Sequence, residues 1–206
     1  MPDDVTPDNP TPNKRRFNWK REALEWGLMI AVLGGLYVTG LHTEVAARLQ
    51  QAILWTGIMQ PDLSMPIDEQ VTARYDVVLR TLDGESIVLG EFNDRPIFLN
   101  LWATWCPPCL AEMPGIQKLY DDVGDEVAFV LLSLDEGDEE VEVFIEAKGY
   151  TVPVYRLEGP LPSVYQAPVL PTTFVISPEG RIVLREEGMA RYNTDRFEAY
   201  LRSLAK

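Results

Sequence analysis

The amino-acid sequence predicts an α/β fold with a mixed β-sheet, and three observations support this. From residue 74 onward, short apolar runs of strand length alternate with segments of helix length. Two of the runs, "RPIFLNLWATW" and "EVAFVLLSL", are almost continuously apolar, as expected for strands covered on both faces. Other strand signals come in pairs around tight turns, which favours antiparallel neighbours. Together these patterns indicate one sheet with parallel and antiparallel strands and with helices packed against it.

The first elements of this domain are predicted to be a hairpin, a buried strand and a helix. In "YDVVLRTLDGESIVL", two short strands meet at Asp83 and Gly84, a dipeptide that favours tight hairpin turns. The first buried strand follows. "CPPCLAEMPGIQKLYDDV" then predicts a helix with a kink at Pro114, because proline lacks the N–H that a helix interior needs.

The second buried strand is followed by alternating elements that close the domain. "DEEVEVFIEAKG" predicts a helix with acidic residues in its first turn and a glycine at its end. "TVPVYRL" is a short strand, and "PTTFVISPEGRIVLREEG" predicts two strands around the central Pro-Glu-Gly turn. "TDRFEAYLRSLAK" predicts the closing helix, with Thr194 as its N-cap.

The composition of the 206-residue chain excludes some classes of function. Its net charge of −14 argues against nucleic-acid binding, because a phosphate-binding surface needs clustered Lys and Arg. Acidic and basic residues balance over residues 1–42, so the whole excess lies in residues 43–206. Two cysteines are too few for a disulfide-dense secreted scaffold.

The N-terminal segment predicts a membrane anchor. Residues 1–21 are rich in Pro, Asp and Asn, end in a basic cluster, and are expected to form a disordered cytoplasmic tail. No residue from Trp26 to Leu41 is charged, and we assign residues 22–42 to a transmembrane signal anchor. Bases before this run and acids after it predict that the rest of the chain is exported. A cleaved signal peptide and a buried soluble helix are the alternatives.

Residues 43–73 are expected to join the anchor to the domain. "TEVAARLQQAILWTGI" predicts a second helix with an apolar stripe of Val45, Leu49 and Ile53. Three placements stay open: on the membrane surface, against the domain, or continuing the membrane helix. A linker follows, and the soluble domain covers residues 74–206.

The only two cysteines, Cys106 and Cys109, lie three positions apart in "LWATWCPPCLAEMP". A zinc site needs four ligands, and the chain offers no third cysteine and a single histidine, His42, so no metal site is predicted. A structural disulfide across two residues closes too small a loop to add much stability. Copper(I) binding by the two thiolates stays open, since soft ligands suit this ion.

A reactive thiol pair accounts for more of the pattern. The pair follows a buried strand and opens a helix, so Cys106 lies at the helix N-terminus, where the macrodipole and free amides lower the pKa of a thiol. Cys106 is then the exposed nucleophile, and Cys109, one turn further and more buried, resolves the mixed disulfide. Trp102 and Trp105 would flank the site with apolar surface, although ordinary core packing explains Trp102 equally well.

"NLWATWCPPCLAEMP" resembles the active-site motif of the thioredoxin superfamily, and within it the membrane-anchored TlpA/ResA-like thiol–disulfide oxidoreductases of cytochrome c maturation. The similarity covers Arg74 to Ala205 and includes the inserted segment after "VLLSLD" and the later "LPTTFVIS". It implies a thioredoxin-like fold, with a central mixed sheet flanked by helices, an N-terminal β-hairpin extension and a central αβ insertion. It also implies no cofactor beyond a redox-active disulfide between the two cysteines.

The resemblance further implies roles for an attacking thiol, a resolving thiol, an acid and a proline, at Cys106, Cys109, Glu112 and Pro171. Glu112 matches an acid that assists proton transfer at the thiols in relatives; a solvated helix carboxylate is the alternative. Pro171 matches a cis-proline that faces the disulfide, so that the backbone of Leu170 can pair with a substrate strand, while an ordinary trans-proline is the alternative. Asn100 stands where many thioredoxins carry a buried Asp, which raises the importance of Glu112 or of water.

The implied function is that of an enzyme tethered to the bacterial inner membrane with its catalytic domain facing the periplasm. Its partners would be disulfide- or dithiol-containing client proteins, such as apocytochrome c, and a membrane thiol protein that donates electrons. Copper delivery through the same cysteines is the alternative. A peroxide-reducing enzyme is disfavoured, because the P-x-x-x-T-x-x-C pattern is absent and Thr104 lies only two residues before Cys106.

The two prolines of the motif predict the direction of electron flow. Neither Pro107 nor Pro108 has an N–H to donate to a Cys106 thiolate, so the Cys109 amide remains as the donor. A less stabilised thiolate makes a more reducing couple, which predicts a reductant. The acidic residues between 135 and 146 are expected to be solvated and matched to the helix dipole.

Overall fold

The computed structural model describes residues 19–38, 41–57, 59–63 and 65–206. These residues fall into two compact units, Met1–Leu41 and His42–Lys206. The prediction of a disordered tail concerns residues that lie almost entirely outside the described ranges.

The first unit contains helix α1 (Trp19–Val38), which is 20 residues long. Its large apolar side chains are exposed, among them Leu24, Leu28 and Leu33. Within the described ranges, no helix combines the length and the apolar character needed to cross a membrane. The anchor predicted over residues 22–42 is therefore not confirmed.

In the second unit, eight strands of the described chain form one sheet. They are β1 (Val71–Thr72), β2 (Val78–Thr81), β3 (Ser86–Val88), β4 (Ile97–Trp102), β5 (Ala128–Ser133), β6 (Val154–Glu158), β7 (Thr172–Ile176) and β8 (Arg181–Glu187). Their order across the sheet is β1-β8-β7-β4-β5-β6-β2-β3. The pairs β4–β5 and β5–β6 are parallel and the others are antiparallel, which confirms the predicted mixed sheet.

The second unit also contains α2 (Leu41–Trp55), α3 (Pro107–Val123), α4 (Glu139–Lys148) and α5 (Asp195–Leu204). The first residue of α2, Leu41, is the last residue of the first unit. Two prolines open α3, where a missing N–H costs nothing. Pro114 lies inside α3 without ending it. The predicted cap of α5 is confirmed, because the Thr194 side chain accepts a hydrogen bond from the Phe197 amide.

The core is divided between the two faces of the sheet. Strands β4, β5 and β6 follow one another in the same direction, so right-handed crossovers place α3 and α4 on the same face. The core on that face joins Phe98 and Phe129 of the sheet to Met113 of α3 and Phe197 of α5. The opposite face is covered largely by 3₁₀ turns at Leu89–Phe92 and Ser163–Tyr165, which bury Leu89 and Tyr165. The predicted thioredoxin-like α/β fold is confirmed.

The segment before the domain contributes more structure than the sequence predicts. β1 adds a short strand at the sheet edge, where Val71 pairs with Ile182 of β8. α2 confirms the second helix over most of its length, while Ile58 lies outside the described residues. Among the α2 side chains that the structure describes, Ala47 and Leu54 are buried, two turns apart, whereas Leu49 and Ile53 of the predicted stripe are exposed.

Candidate active site

The two cysteines lie where β4 gives way to α3. They form a disulfide with an S–S distance of 2.08 Å and a Cα–Cα distance of 5.3 Å. Cys106 is the N-cap of α3, in an extended conformation, and its Sγ accepts a hydrogen bond from the Cys109 amide at 3.3 Å. The predicted position of Cys106 at a helix N-terminus is therefore observed.

The two sulfur-bearing residues differ in their access to solvent. Cys109 is 1% exposed and contributes to the core, as expected for the inner cysteine. Cys106 is only 4% exposed, so the expectation of an exposed nucleophile needs correction. Its side chain is covered by the neighbouring loops and reaches solvent through a cavity of about 510 Å³ instead of projecting from the surface.

This cavity, which we call the Cys106 groove, is apolar. Its other lining residues are Trp105, Pro107, Pro108, Leu134, Ala167, Pro168, Val169 and Leu170, none of which carries a charge. Trp105 is 60% exposed and forms part of its wall, as the sequence predicted. Trp102 is fully buried, with its ring centroid 5.6 Å from that of Phe144, so ordinary packing explains it.

The chain turns at a cis peptide bond between Leu170 and Pro171 as it enters β7. The expected cis-proline is thus present. The turn is held on both sides: the Pro171 carbonyl accepts a hydrogen bond from the Gly188 amide at 2.8 Å, and the Thr172 hydroxyl donates to the Val169 carbonyl at 2.8 Å. Leu170 lines the Cys106 groove, where an extended client segment could reach its backbone.

Asp135 holds the loop that carries Cys106, a role that the sequence reasoning missed. Its carboxylate accepts hydrogen bonds from the Thr104 amide at 3.0 Å, the Thr104 hydroxyl at 2.6 Å and the Ser133 hydroxyl at 2.7 Å. Asp135 is buried, so the prediction of a solvated acidic cluster is wrong at this residue. The signal available in the sequence was its position: parallel strands β4 and β5 end at the same edge, which brings residue 135 beside the loop after β4.

Glu112 lies on the inner side of α3 and is 2% exposed, so the alternative of a solvated carboxylate is wrong. Its Oε1 accepts a hydrogen bond from the Ala190 amide at 2.5 Å, while Oε2 has no partner among the described residues. Burial raises the pKa of Glu112 well above its ordinary value, and the charge of Glu186 acts in the same direction. The Ala190 amide and the Asn100 side chain oppose this shift.

Asn100 connects the acid to the sheet. Its side-chain amide donates a hydrogen bond to the Thr173 hydroxyl at 2.9 Å across the β4–β7 pair, and both residues are buried. Where many thioredoxins carry a titratable Asp, the sheet therefore has the neutral side chains of Asn100 and Thr173. The buried carboxyl group belongs instead to Glu112 of α3. Within the described part of the chain, no three His, Cys, Asp or Glu side chains gather as a metal site.

A disulfide capping a helix, an apolar groove along it and a cis-proline at the start of the neighbouring strand define the class of thiol–disulfide oxidoreductases with a thioredoxin-like fold. Comparison with known proteins agrees. The sequence profile of the AhpC/TSA family matches residues 71–185, more than half of the chain, and the chain belongs to this family.

Individual relatives support the same class. The thiol-disulfide oxidoreductase ResA of Oceanobacillus iheyensis is 36% identical over 126 residues, which cover 60% of this chain and 65% of the relative, just under two thirds. ResA of Halalkalibacterium halodurans is 35% identical over 123 residues, covering 58% and 70%. A thiol:disulfide interchange protein from Bacteroides sp. shares the fold, with a TM-score of 0.56 at 21% identity over 66% of this chain and 89% of that one. The sequence-based recognition of the class is confirmed.

Proposed function

We propose that this protein reduces disulfide bonds of exported client proteins, such as apocytochrome c, and is recharged by a membrane thiol protein. The observation that carries the proposed direction is the donor set of Cys106. An N-cap side chain normally accepts hydrogen bonds from the second or third helical residue. Here the second residue is Pro108, which has no N–H, and only the third, Cys109, donates. One missing donor stabilises the reduced thiolate less, which favours a reducing couple.

The proposed reaction moves two electrons in two exchanges. The Cys106 thiolate attacks one sulfur of a client disulfide, and the other client sulfur leaves as a thiolate. Cys109, once deprotonated, attacks the Cys106 sulfur of the mixed disulfide and expels the second client thiolate. The client disulfide is reduced to two thiols, and the enzyme is oxidised to the Cys106–Cys109 disulfide. The electron donor reverses this exchange at the same pair.

The apolar Cys106 groove supports extended protein segments as substrates, and the names of the relatives support the type of reaction. The groove offers Trp105 and Val169, both exposed, as contacts for side chains next to a client cysteine. Two relatives are named as thiol-disulfide oxidoreductases, which supports turnover over stoichiometric binding.

The redox potential of two matched variants tests the direction. Pro108→Ala restores an amide at the second helical position, and we expect its potential to be about 30 mV more oxidising, the equivalent of one additional hydrogen bond. Pro107→Ala restores an amide at the first position, which does not point at the cap, and serves as the control. A parent potential near that of the strong oxidants, about −120 mV, would contradict the proposal.

Turnover distinguishes the reductase from the copper-delivery alternative. We expect catalytic reduction of insulin in the presence of dithiothreitol. Stoichiometric Cu(I) uptake without insulin turnover would favour copper delivery instead. In cells, Cys109→Ala is expected to hold the client on Cys106 as a mixed disulfide, and mass spectrometry of the adduct would identify it.

We also propose that the chain is tethered to the inner membrane with the catalytic domain outside the cytoplasm. The support is the uncharged run from Trp26 to Leu41 behind a basic cluster, and α2, which leaves Leu49 and Ile53 exposed on the side away from its buried residues. Carbonate-washed membranes should retain the full chain, and a membrane-impermeant thiol reagent should label the reduced cysteines in intact spheroplasts. Recovery of the full chain in the soluble fraction would contradict the tether.

A further inference from the structure

A row of polar side chains crosses the sheet beneath α3. Asn100 of β4 lies opposite Thr173 of β7, and Thr173 lies opposite Glu186 of β8. Directly paired residues of antiparallel strands point to the same face, and neighbours at alternate positions, Phe98 and Leu184, belong to the helix-covered core. We call Asn100, Thr173 and Glu186 the polar row. It runs from the buried centre of the sheet to a half-buried carboxylate near the edge.

Two buried oxygens near this row have no hydrogen-bond partner among the described residues. They are Oε2 of Glu112 and the hydroxyl of Tyr192, and both residues are almost fully buried. Buried polar atoms without partners are rare in folded proteins, and a redox or catalytic role is one of the explanations for them. Tyr192 lies two residues after Ala190, whose amide donates a hydrogen bond to Glu112. Burial raises the pKa of Tyr192, and the charge of Glu112 acts in the same direction.

The linker before the domain reaches both ends of this arrangement. The Asp62 amide donates a hydrogen bond to Oε2 of Glu186 at 3.2 Å. The Met59 carbonyl accepts one from the Arg191 amide at 2.7 Å. Arg191 follows Ala190, whose amide binds Glu112. Residues 59–63, which carry no chemistry of their own in the sequence, thus contact the second acid and the loop that holds the first.

We propose that Glu186 is a positioning residue for the thiol–disulfide exchange: its negative charge adds to burial in keeping Glu112 in the neutral, proton-bearing form, and the Asp62 amide fixes Glu186 in place. The proposal deepens the proposed function, because it concerns proton transfer at the same cysteines. Burial raises the pKa of Glu186 as well, opposed by the Asp62 amide and aided by the Asp62 charge. Among the described residues, the other charged or titratable groups that interact with the pair are Asp62 and Tyr192.

The charge of Glu186 matters because the exchange requires a proton to be given and taken back at Cys109. When a donor thiolate attacks Cys106, the Cys106–Cys109 bond breaks and Cys109 leaves as a thiolate. Glu112 follows Cys109 by three positions and so lies on the same face of α3. Neutral Glu112 supplies the proton that converts this thiolate to a thiol and becomes a carboxylate. In the client half of the cycle, the Glu112 carboxylate takes the proton back as Cys109 attacks the mixed disulfide. Burial is the main reason why Glu112 holds that proton, and the charge of Glu186 adds to it.

Carboxyl titration by NMR tests the proposal on the oxidised protein without any client. With ¹³C-labelled glutamate, and with Glu112→Gln used to assign the signal, we expect Glu186→Gln to lower the titration midpoint of Glu112. The control is Glu187→Gln, one residue along on the other face of β8, which should leave that midpoint unchanged. On the alkaline side of the profile of rate against pH, dithiothreitol should reduce the oxidised Glu186→Gln protein about threefold more slowly than the parent at the same pH.

A second pair of variants tests the linker. Asp62→Ala removes the charge and keeps the amide, whereas Asp62→Pro removes both, so their difference isolates the N–H. The titration midpoint of Glu186 should be higher in Asp62→Pro than in Asp62→Ala. An unchanged Glu112 midpoint in a folded Glu186→Gln protein, or equal Glu186 midpoints in the two Asp62 variants, would overturn the proposal. Since no client or direction of electron flow enters these titrations, either result leaves the reductase function to be judged separately.

Discussion

The two sides of the Cys106–Cys109 disulfide differ in their access to solvent and in the polar groups near them. On the Cys106 side, the Cys106 groove is open and apolar, and Trp105 is largely exposed beside it. On the Cys109 side, α3 covers a closed hydrophobic core in which the polar side chains of Glu112 and Asn100 are also buried. One short disulfide therefore separates an uncharged surface from a buried carboxyl group.

This difference separates two tasks that a thiol–disulfide exchange has to combine. An apolar groove accepts client segments by shape and burial, and it leaves the reacting sulfur undisturbed by nearby charge. A buried acid exchanges protons with the inner sulfur where water has little access and electrostatic effects are strong. We infer that electrons cross on the side of Cys106 and protons on the side of Cys109.

The largest effect is expected from replacing either cysteine, and the two variants should differ in kind. Cys106→Ser should lower insulin turnover about 1,000-fold or more and form no adduct, because the attacking sulfur is missing. Cys109→Ser should lower turnover as much but accumulate a mixed disulfide on Cys106, visible on a non-reducing gel. Adduct formation through Cys109 in the Cys106→Ser protein would show that the roles assigned to the two sides are wrong.

The next effect concerns stability. Trp102 is fully buried against Phe144, so Trp102→Ala should lower the free energy of unfolding by about 3 to 5 kcal/mol. Urea unfolding of the oxidised protein measures this loss. A loss below about 1 kcal/mol would mean that the core next to Cys109 is loosely packed. The contrast between this core and the solvent-accessible Cys106 groove would then be wrong.

Much of this arrangement could be predicted from the sequence because it rests on local patterns. Hydrophobic runs and turn residues place the strands, and a C-x-x-C pair after a buried strand places Cys106 at a helix start. The cis bond before Pro171 followed from resemblance to a family, since no local pattern distinguishes it from a trans bond. Trp105 in the groove wall followed from the motif as well.

The residues that escaped prediction act through contacts distant in the chain. Asp135 reaches Thr104 because two parallel strands end together. Glu186 shares a face of the sheet with Asn100 because only β7 separates β8 from β4. β1 is only two residues long, too short for any periodic signal. The sequence left the placement of α2 open, because the buried Ala47 is small and does not stand out in a ranking by hydrophobicity.

The buried Glu112 on the Cys109 side should affect how the free energy of unfolding depends on pH. Because burial raises the pKa of Glu112 in the folded protein, the folded state retains a proton that the unfolded chain releases above an ordinary value of 4.5. Stability should therefore fall as the pH rises from there to the folded-state pKa. Glu112→Gln, which cannot ionise, should lack this decline and be more stable than the parent at alkaline pH by about 1 kcal/mol or more. Parallel stability curves for the two proteins across this range would contradict a buried, proton-bearing Glu112.

The smallest effect is expected from replacing Trp105 in the wall of the Cys106 groove. Trp105→Ala should reduce kcat/KM for a protein disulfide by about threefold, because an exposed aromatic wall contributes part of its area to a client. The free energy of unfolding should change by less than about 0.5 kcal/mol, since Trp105 is 60% exposed. Reduction of a small disulfide such as oxidised glutathione, which does not fill the groove, is the matched control and should keep its parent rate. An equal loss for both substrates would mean that Trp105 acts on the reactivity of Cys106 itself, and the groove would then lose its role in recognising clients.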